Sequence, residues 1–275
     1  MTAERRATFE VGGPPRVEVR LASGRATFLP GPPGRVEAVV SAGDEEAVEE
    51  FRMSQFGDRI ALRPNGGLFG RWESYELMVH LPADAEVEAS MASAEVLVEA
   101  PVRGLKAQLA SGDLRVTAVE GKVTVKTASG DVLVGRAEGG LEVTTASGDV
   151  RVEVAGGPSG VQTASGDVYV ERAQAGLRVR TASGDVRVAH FAGSELACKT
   201  VSGNVRVGIP PGRALRLDLS TLSGRISNDF PLQEQGSGEG DVADLSVKTV
   251  SGDISLSPPS ASPPPPPPSP STVPD

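Results

Sequence analysis

The stretch TASGDV (127–132) returns unchanged at 145–150, 163–168 and 181–186, each copy 18 residues after the last. The same corner extends backwards as Ser111-Gly112-Asp113 and, degenerate, as Ser93-Ala94-Glu95. It extends forwards as Ser202-Gly203-Asn204, Ser223-Gly224-Arg225 and Ser251-Gly252-Asp253, at offsets widening to 19, 21 and 28. A fixed short period means that each repeat is one unit stacked on its neighbour.

Around each corner the apolar residues alternate, as in Val132 and Val134, Leu141 and Val143, Val150 and Val152, and Val186 and Val188. Period-two alternation of β-branched residues between glycine turns reads as short strands with one buried face. Each period holds two strands and two turns. The fold expected is all-β: a two-sided parallel β-solenoid with 18-residue coils and a thin valine interior. Its hand is expected to be right, as parallel crossovers usually are. Two other stacked folds with compatible periods do not fit. A hexapeptide helix needs an aliphatic residue every six positions, but Glu138 and Thr144 follow Val132 at +6 and +12. The calcium-binding nonapeptide keeps a residue between Gly and Asp, which are adjacent here.

The chain divides into three parts. Residues 1–90 carry alternating segments RVEVRLA (16–22), RVEAVV (35–40), RIALR (59–63) and SYELMVHL (74–81) between Gly/Pro turns. They read as a β-rich region that starts and caps the solenoid. AGDEEAVEEF (42–51) reads as a helical turn or a solvated loop. Residues 91–257 are the SGD-repeat solenoid. Residues 258–275, which include six consecutive prolines, read as an extended disordered tail.

Bulk properties narrow the function. Aromatics make up only 4% of the 275 residues, so the core is built from Val, Leu and Ala. The formal charge of −9 opposes a nucleic-acid partner. One cysteine, Cys198, excludes an internal disulfide, and no Cys/His spacing suits a metal. The N-terminus MTAERRATFEVGG has no apolar core of a signal peptide, and no run reaches transmembrane length. A cytoplasmic location is the expectation.

In a solenoid, residues one period apart form columns. The first column pairs Gly112 with Asp113, Gly130 with Asp131, Gly148 with Asp149, Gly166 with Asp167 and Gly184 with Asp185, ending at Asn204. It reads as turn chemistry: Gly supplies the unusual backbone angle and Asp accepts nearby amide hydrogens. A cation or ligand ladder is the alternative. Carboxylates about 5 Å apart repel by roughly 1–3 kcal/mol, and Asn204 keeps the accepting oxygen without the charge, which favours the turn. The threonines 127, 145, 163, 181 and 200 point inward by parity and need partners. Cys198 falls in the column of Val125, Val143, Val161 and Val179, a core position. An outward column holds Arg151, Tyr169, Arg187 and Arg206, either a solvated face or a binding face centred on Tyr169.

These serial t-x-S-G-D repeats follow YELMVHLPADAEVEASMAS (75–93), in which Leu81-Pro82 and Val87 form a lead-in element. Over roughly residues 8–257 the chain resembles the bacterial "putative adhesin" family of β-strand-repeat proteins of unknown function. The resemblance implies a β-solenoid and no catalytic residues or cofactors.

Three functions are open at this point. The first is a non-enzymatic binding scaffold whose flat faces meet a protein or glycan. The second is a self-assembling, bactofilin-like solenoid. The third is a carbohydrate-active β-helix enzyme, opposed by the lack of a carboxylate pair in an aromatic cleft.

Overall fold

The computed structural model describes residues 3–65, 73–230 and 242–259. Most of the described chain lies in strands of one continuous sheet system. The repeat dictates its register. Val123–Thr127 pairs parallel with Leu141–Ser147, placing Val125 opposite Val143 and Thr127 opposite Thr145. On the other face Val132–Ala137 pairs parallel with Val150–Ala155, and Val132 lies opposite Val150. Each period is therefore one coil, with one strand on each face and the SGD corner between them. This is the two-sided parallel solenoid expected from the sequence.

The interior follows from the alternation. Val125, Val143, Val161, Val179, Cys198 and Val247 stack on one face, and Val134, Val152, Val170, Val188, Val207 and Leu256 on the other. All are at most 1% exposed. Each side chain buried this way contributes about 1.5–3 kcal/mol, so the seam supplies most of the driving force.

Residues 16–30 already form a coil. The strand Arg16–Pro30 runs parallel to Glu86–Val98 from Arg16 opposite Glu86 to Phe28 opposite Val98, bending between at Ser23-Gly24. The chain between them folds against the outer side of that first coil. Ser74–Leu81 and Arg59–Arg63 add to its two faces in parallel. Arg35–Ala42, Ala3–Glu10 and Arg52–Phe56 then extend the faces antiparallel. AGDEEAVEEF resolves into a short helix, Glu45–Glu50, capped by the Asp44 carboxylate accepting the Glu46 N–H at 3.1 Å. Phe51 behind it packs its ring on Tyr75, with centroids 5.3 Å apart.

The last copies stack out of sequence order. Ala214–Ser223 and Ile226–Asn228 do not lie on the preceding coil. Val242–Ser251 and Ile254–Ser257 insert between, pairing with Glu195–Lys199 and Val205–Gly208 on one side and with the skipped strands on the other. The corner at Ser251 thus sits between those at Ser202 and Ser223. The widened offsets reflect this crossing as well as longer loops. The glycine-rich stretch 236–240 and the proline-rich tail from residue 260 lie outside the described residues.

Candidate functional site: the aspartate corner and the arginine–tyrosine face

The corner is built from the backbone outward. Gly148 has φ +116°, and a Cβ on it would lie 2.2 Å from the carbonyl oxygen of Gly130. Glycine is therefore required twice, by its own dihedral and by the backbone one rung below. That turn leaves an amide of each rung facing the carboxylate of the preceding rung. Asp131 N–H donates to Asp113 Oδ1 at 2.9 Å, Asp149 to Asp131 at 2.9 Å, Asp167 to Asp149 at 2.8 Å, and Asp185 to Asp167 at 2.8 Å. A hydrogen bond to a charged acceptor contributes about 1.5–3 kcal/mol, which offsets the repulsion between neighbouring carboxylates.

Asn204 continues the line and relieves it. Its N–H donates to Asp185 Oδ1 at 2.8 Å, and its Nδ2 donates to the same carboxylate at 3.2 and 3.4 Å. Its own Oδ1 accepts the Asp253 N–H at 3.0 Å, and Asp253 accepts from Arg225 N–H at 2.7 Å. Each aspartate from Asp113 to Asp185 gives Oδ1 to a backbone amide one rung on, and Asp185 engages its second oxygen as well. Among the described residues no group of three or more His, Cys, Asp or Glu is arranged to hold a metal ion.

The inward threonines find the partners they need locally. Thr127 Oγ1 donates to the Ser129 carbonyl at 2.8 Å, and Thr145, Thr163, Thr181 and Thr200 repeat the bond at 2.8–3.2 Å. Cys198 is fully buried, and burial pushes its thiol up to about 12. A thiolate nucleophile is thereby disfavoured.

Beside the corner, the structure brings the outward column together as read. Arg151, Tyr169, Arg187 and Arg206 occupy successive rungs in register. The guanidinium carbons of Arg151 and Arg187 lie 5.9 and 6.0 Å from the Tyr169 ring centroid, one on each side. Stacked cations and ring attract through the ring quadrupole. Arg206 reaches Asp185 at 3.6 Å. Arg151 Nε is buried without a hydrogen-bond partner. The column and the aspartates line a shallow groove of about 240 Å³, with a second groove of about 180 Å³ continuing past Asp131 and Leu133. Such volumes are too small to enclose a typical ligand, so the surface suits an extended partner laid along the rungs.

Two features escaped the sequence reading. Ser23-Gly24-Arg25 is a further corner: Gly24 has φ +117°, and Ser23 lies opposite Ser93. The signal was the tripeptide Ala22-Ser23-Gly24 inside an alternating run. The second is a change at the corner's small position. Alanine there gives way to Val201, Leu222 and Val250 in the last coils, exposed at 55%, 84% and 46%.

Among the described residues no helix is long and apolar enough to cross a membrane. The model of the Toastrack DUF4097 family matches residues 49–257. No curated protein matches the chain. Solved structures similar to it include a "putative adhesin" from Bacteroides fragilis, with 12% identity, TM-score 0.42 and coverage of 92% of this chain and 97% of that one. Another is a "putative adhesin" from Parabacteroides distasonis, at 10% identity, TM-score 0.40 and the same coverage. A third, from the same organism, is a "putative lipid binding protein", at 10% identity and TM-score 0.37, covering 92% of this chain and 96% of that one.

Proposed function

We propose that this chain, which belongs to the Toastrack DUF4097 family, is a non-enzymatic binding scaffold that presents its flat strand face to a protein or glycan. The observation that carries this reading is Tyr169 held between Arg151 and Arg187 on consecutive rungs, at 5.9 and 6.0 Å. An aromatic fixed by neighbours and flanked by arginines is the composition of an interface hot spot, because little side-chain entropy is left to lose on docking. Arg187 and Arg206 stand on adjacent rungs and Arg151 two rungs from Arg187, so the face offers a row of guanidiniums to an acidic partner.

The absence of catalysis in this reading rests on the same geometry. The aspartates give one oxygen each to backbone amides, and the cysteine is sealed. The test is affinity capture and glycan-array binding with the full chain, repeated with Tyr169→Ala and Arg151→Glu. Binding retained by the wild type should fall at least tenfold in both variants while circular dichroism is unchanged. Capture of the same ligand at equal affinity by both variants would contradict the assignment.

A further inference from the structure

Among the described residues the two ends of the solenoid are finished differently, and the C-terminal one lacks a cover. Among the described residues, Ala214–Ser223 has one strand neighbour, Val242–Ser251, and Ile226–Asn228 has one, Ile254–Ser257. Among the described residues the outer edges of both strands have no backbone partner, the template on which another strand adds. The inward side chains Leu215, Leu217 and Leu219 are only partly buried, whereas Leu245 and Val247 one rung inside are at most 1% exposed. Ile226 is 43% exposed on the opposite face. An apolar cross-section is left open.

The sequence of that edge is self-complementary. Residues 215–219 read Leu-Arg-Leu-Asp-Leu, and reversal exchanges only the two charges. Antiparallel pairing with its own copy about Leu217 sets Arg216 against Asp218 of the second copy, twice by symmetry. It also sets Leu215 against Leu219 of the second copy, and Leu217 against itself. Arg216 and Asp218 already bond Asp244 at 2.9 Å and Lys248 at 2.8 Å within the chain. Both heads lie on the outer face and can take a second partner. A two-fold axis normal to the faces through Leu217 keeps the 214–223 sheet continuous across the junction, while Ile226–Asn228, just past the corner at 223–225, lies to one side of the axis. A parallel or shifted pairing would oppose like charges.

We propose that the full chain forms a two-fold dimer through antiparallel pairing of the 214–223 edges, end to end. A two-fold contact uses the 214–223 edge of both copies, so this junction by itself closes at two copies and does not propagate into a filament. The inference is independent of the arginine–tyrosine face, which lies on inner rungs. The alternative occupant is the chain's own 231–241 stretch, PLQEQGSGEGD, which offers one large aliphatic side chain, Leu232.

The test is sedimentation velocity of the full chain over a concentration series. A monomer–dimer equilibrium with no larger species is expected. Arg216→Asp and Asp218→Arg should each weaken the dimer at least tenfold, and an equimolar mixture of the two variants should recover a heterodimer. Three results would overturn the proposal: wild-type protein monomeric up to roughly 0.1 mM, which hands the edge to the chain itself; reversals that leave the dimer intact; or a mixture that stays monomeric. The wild-type series decides even if a variant fails to fold.

Discussion

The two ends of this solenoid are built from the same alternating pattern and finished in opposite ways. At the N-terminal end, antiparallel strands and a short helix close the first coil, and Phe28 and Phe51 fill the interior at no more than 1% exposure. At the C-terminal end the outermost coil shows its leucines partly to solvent. Alternation makes a strand with one apolar face, but it does not say whether that face finds a cover in the same chain. The aromatic residues mark the difference: the buried ones at the N-terminal end fill a wider space than a valine seam can.

Truncating each end should show the contrast most strongly. Phe51→Ala at the closed end is expected to cost about 3–5 kcal/mol and to lower the melting temperature sharply. Leu217→Ala, measured in dilute monomer, should cost less than about 1 kcal/mol, because the site is already open. Equal losses by urea denaturation would mean that the open end is sealed in solution. Between the ends, Gly148→Ala should cost roughly 3 kcal/mol from the positive φ and the Gly130 carbonyl 2.2 Å away. The same change at Gly57 in the N-terminal region has nothing within 4 Å to meet and only its φ of +59° to strain it, so it should cost about 1 kcal/mol.

Smaller effects sharpen the picture of the corner. Asp149→Ala removes the acceptor of the Asp167 N–H and should cost about 1 kcal/mol. Asp149→Asn should restore most of it, as Asn204 shows in the native chain. The smallest effect concerns acid. Hydrogen bonds from Lys106 and then Arg16 hold Glu88 down to about 2, against an ordinary 4.5. A depressed carboxylate stabilises the fold above its unfolded value, and that stability is lost as the pH falls from 4.5 towards 2. Glu88→Gln should flatten this part of the pH–stability curve and leave neutral stability slightly lower.

The coil itself was legible because one signal repeated. Period-two valines, a glycine corner and an 18-residue spacing each point to the same stack, so the register of Val125 on Val143 needed no further information. The aspartate–amide ladder was half legible. The residue types announced amide acceptance, but not that the donor sits one rung away. Local reading also missed what depends on the whole stack. Ser23-Gly24-Arg25 is separated from Ser93 by 70 residues, so its period is hidden by the intervening cap. The crossing of the last two coils leaves no local trace, since TVSGD at 249–253 reads as well in either place. Of the candidate face, the column was visible in the spacing. The pairing of Tyr169 with both neighbouring arginines required their rotamers.

The stacking of successive periods can be tested without any ligand. Thr144 and Gln162 are exposed and directly opposite on adjacent rungs, at the roughly 4.8 Å strand spacing that lies within disulfide reach. Thr144→Cys/Gln162→Cys should oxidise to near completion in the folded protein, while Thr144→Cys/Glu171→Cys, on opposite faces, should stay reduced. Failure of the first pair to close, or equal closure of the second, would contradict the 18-residue register.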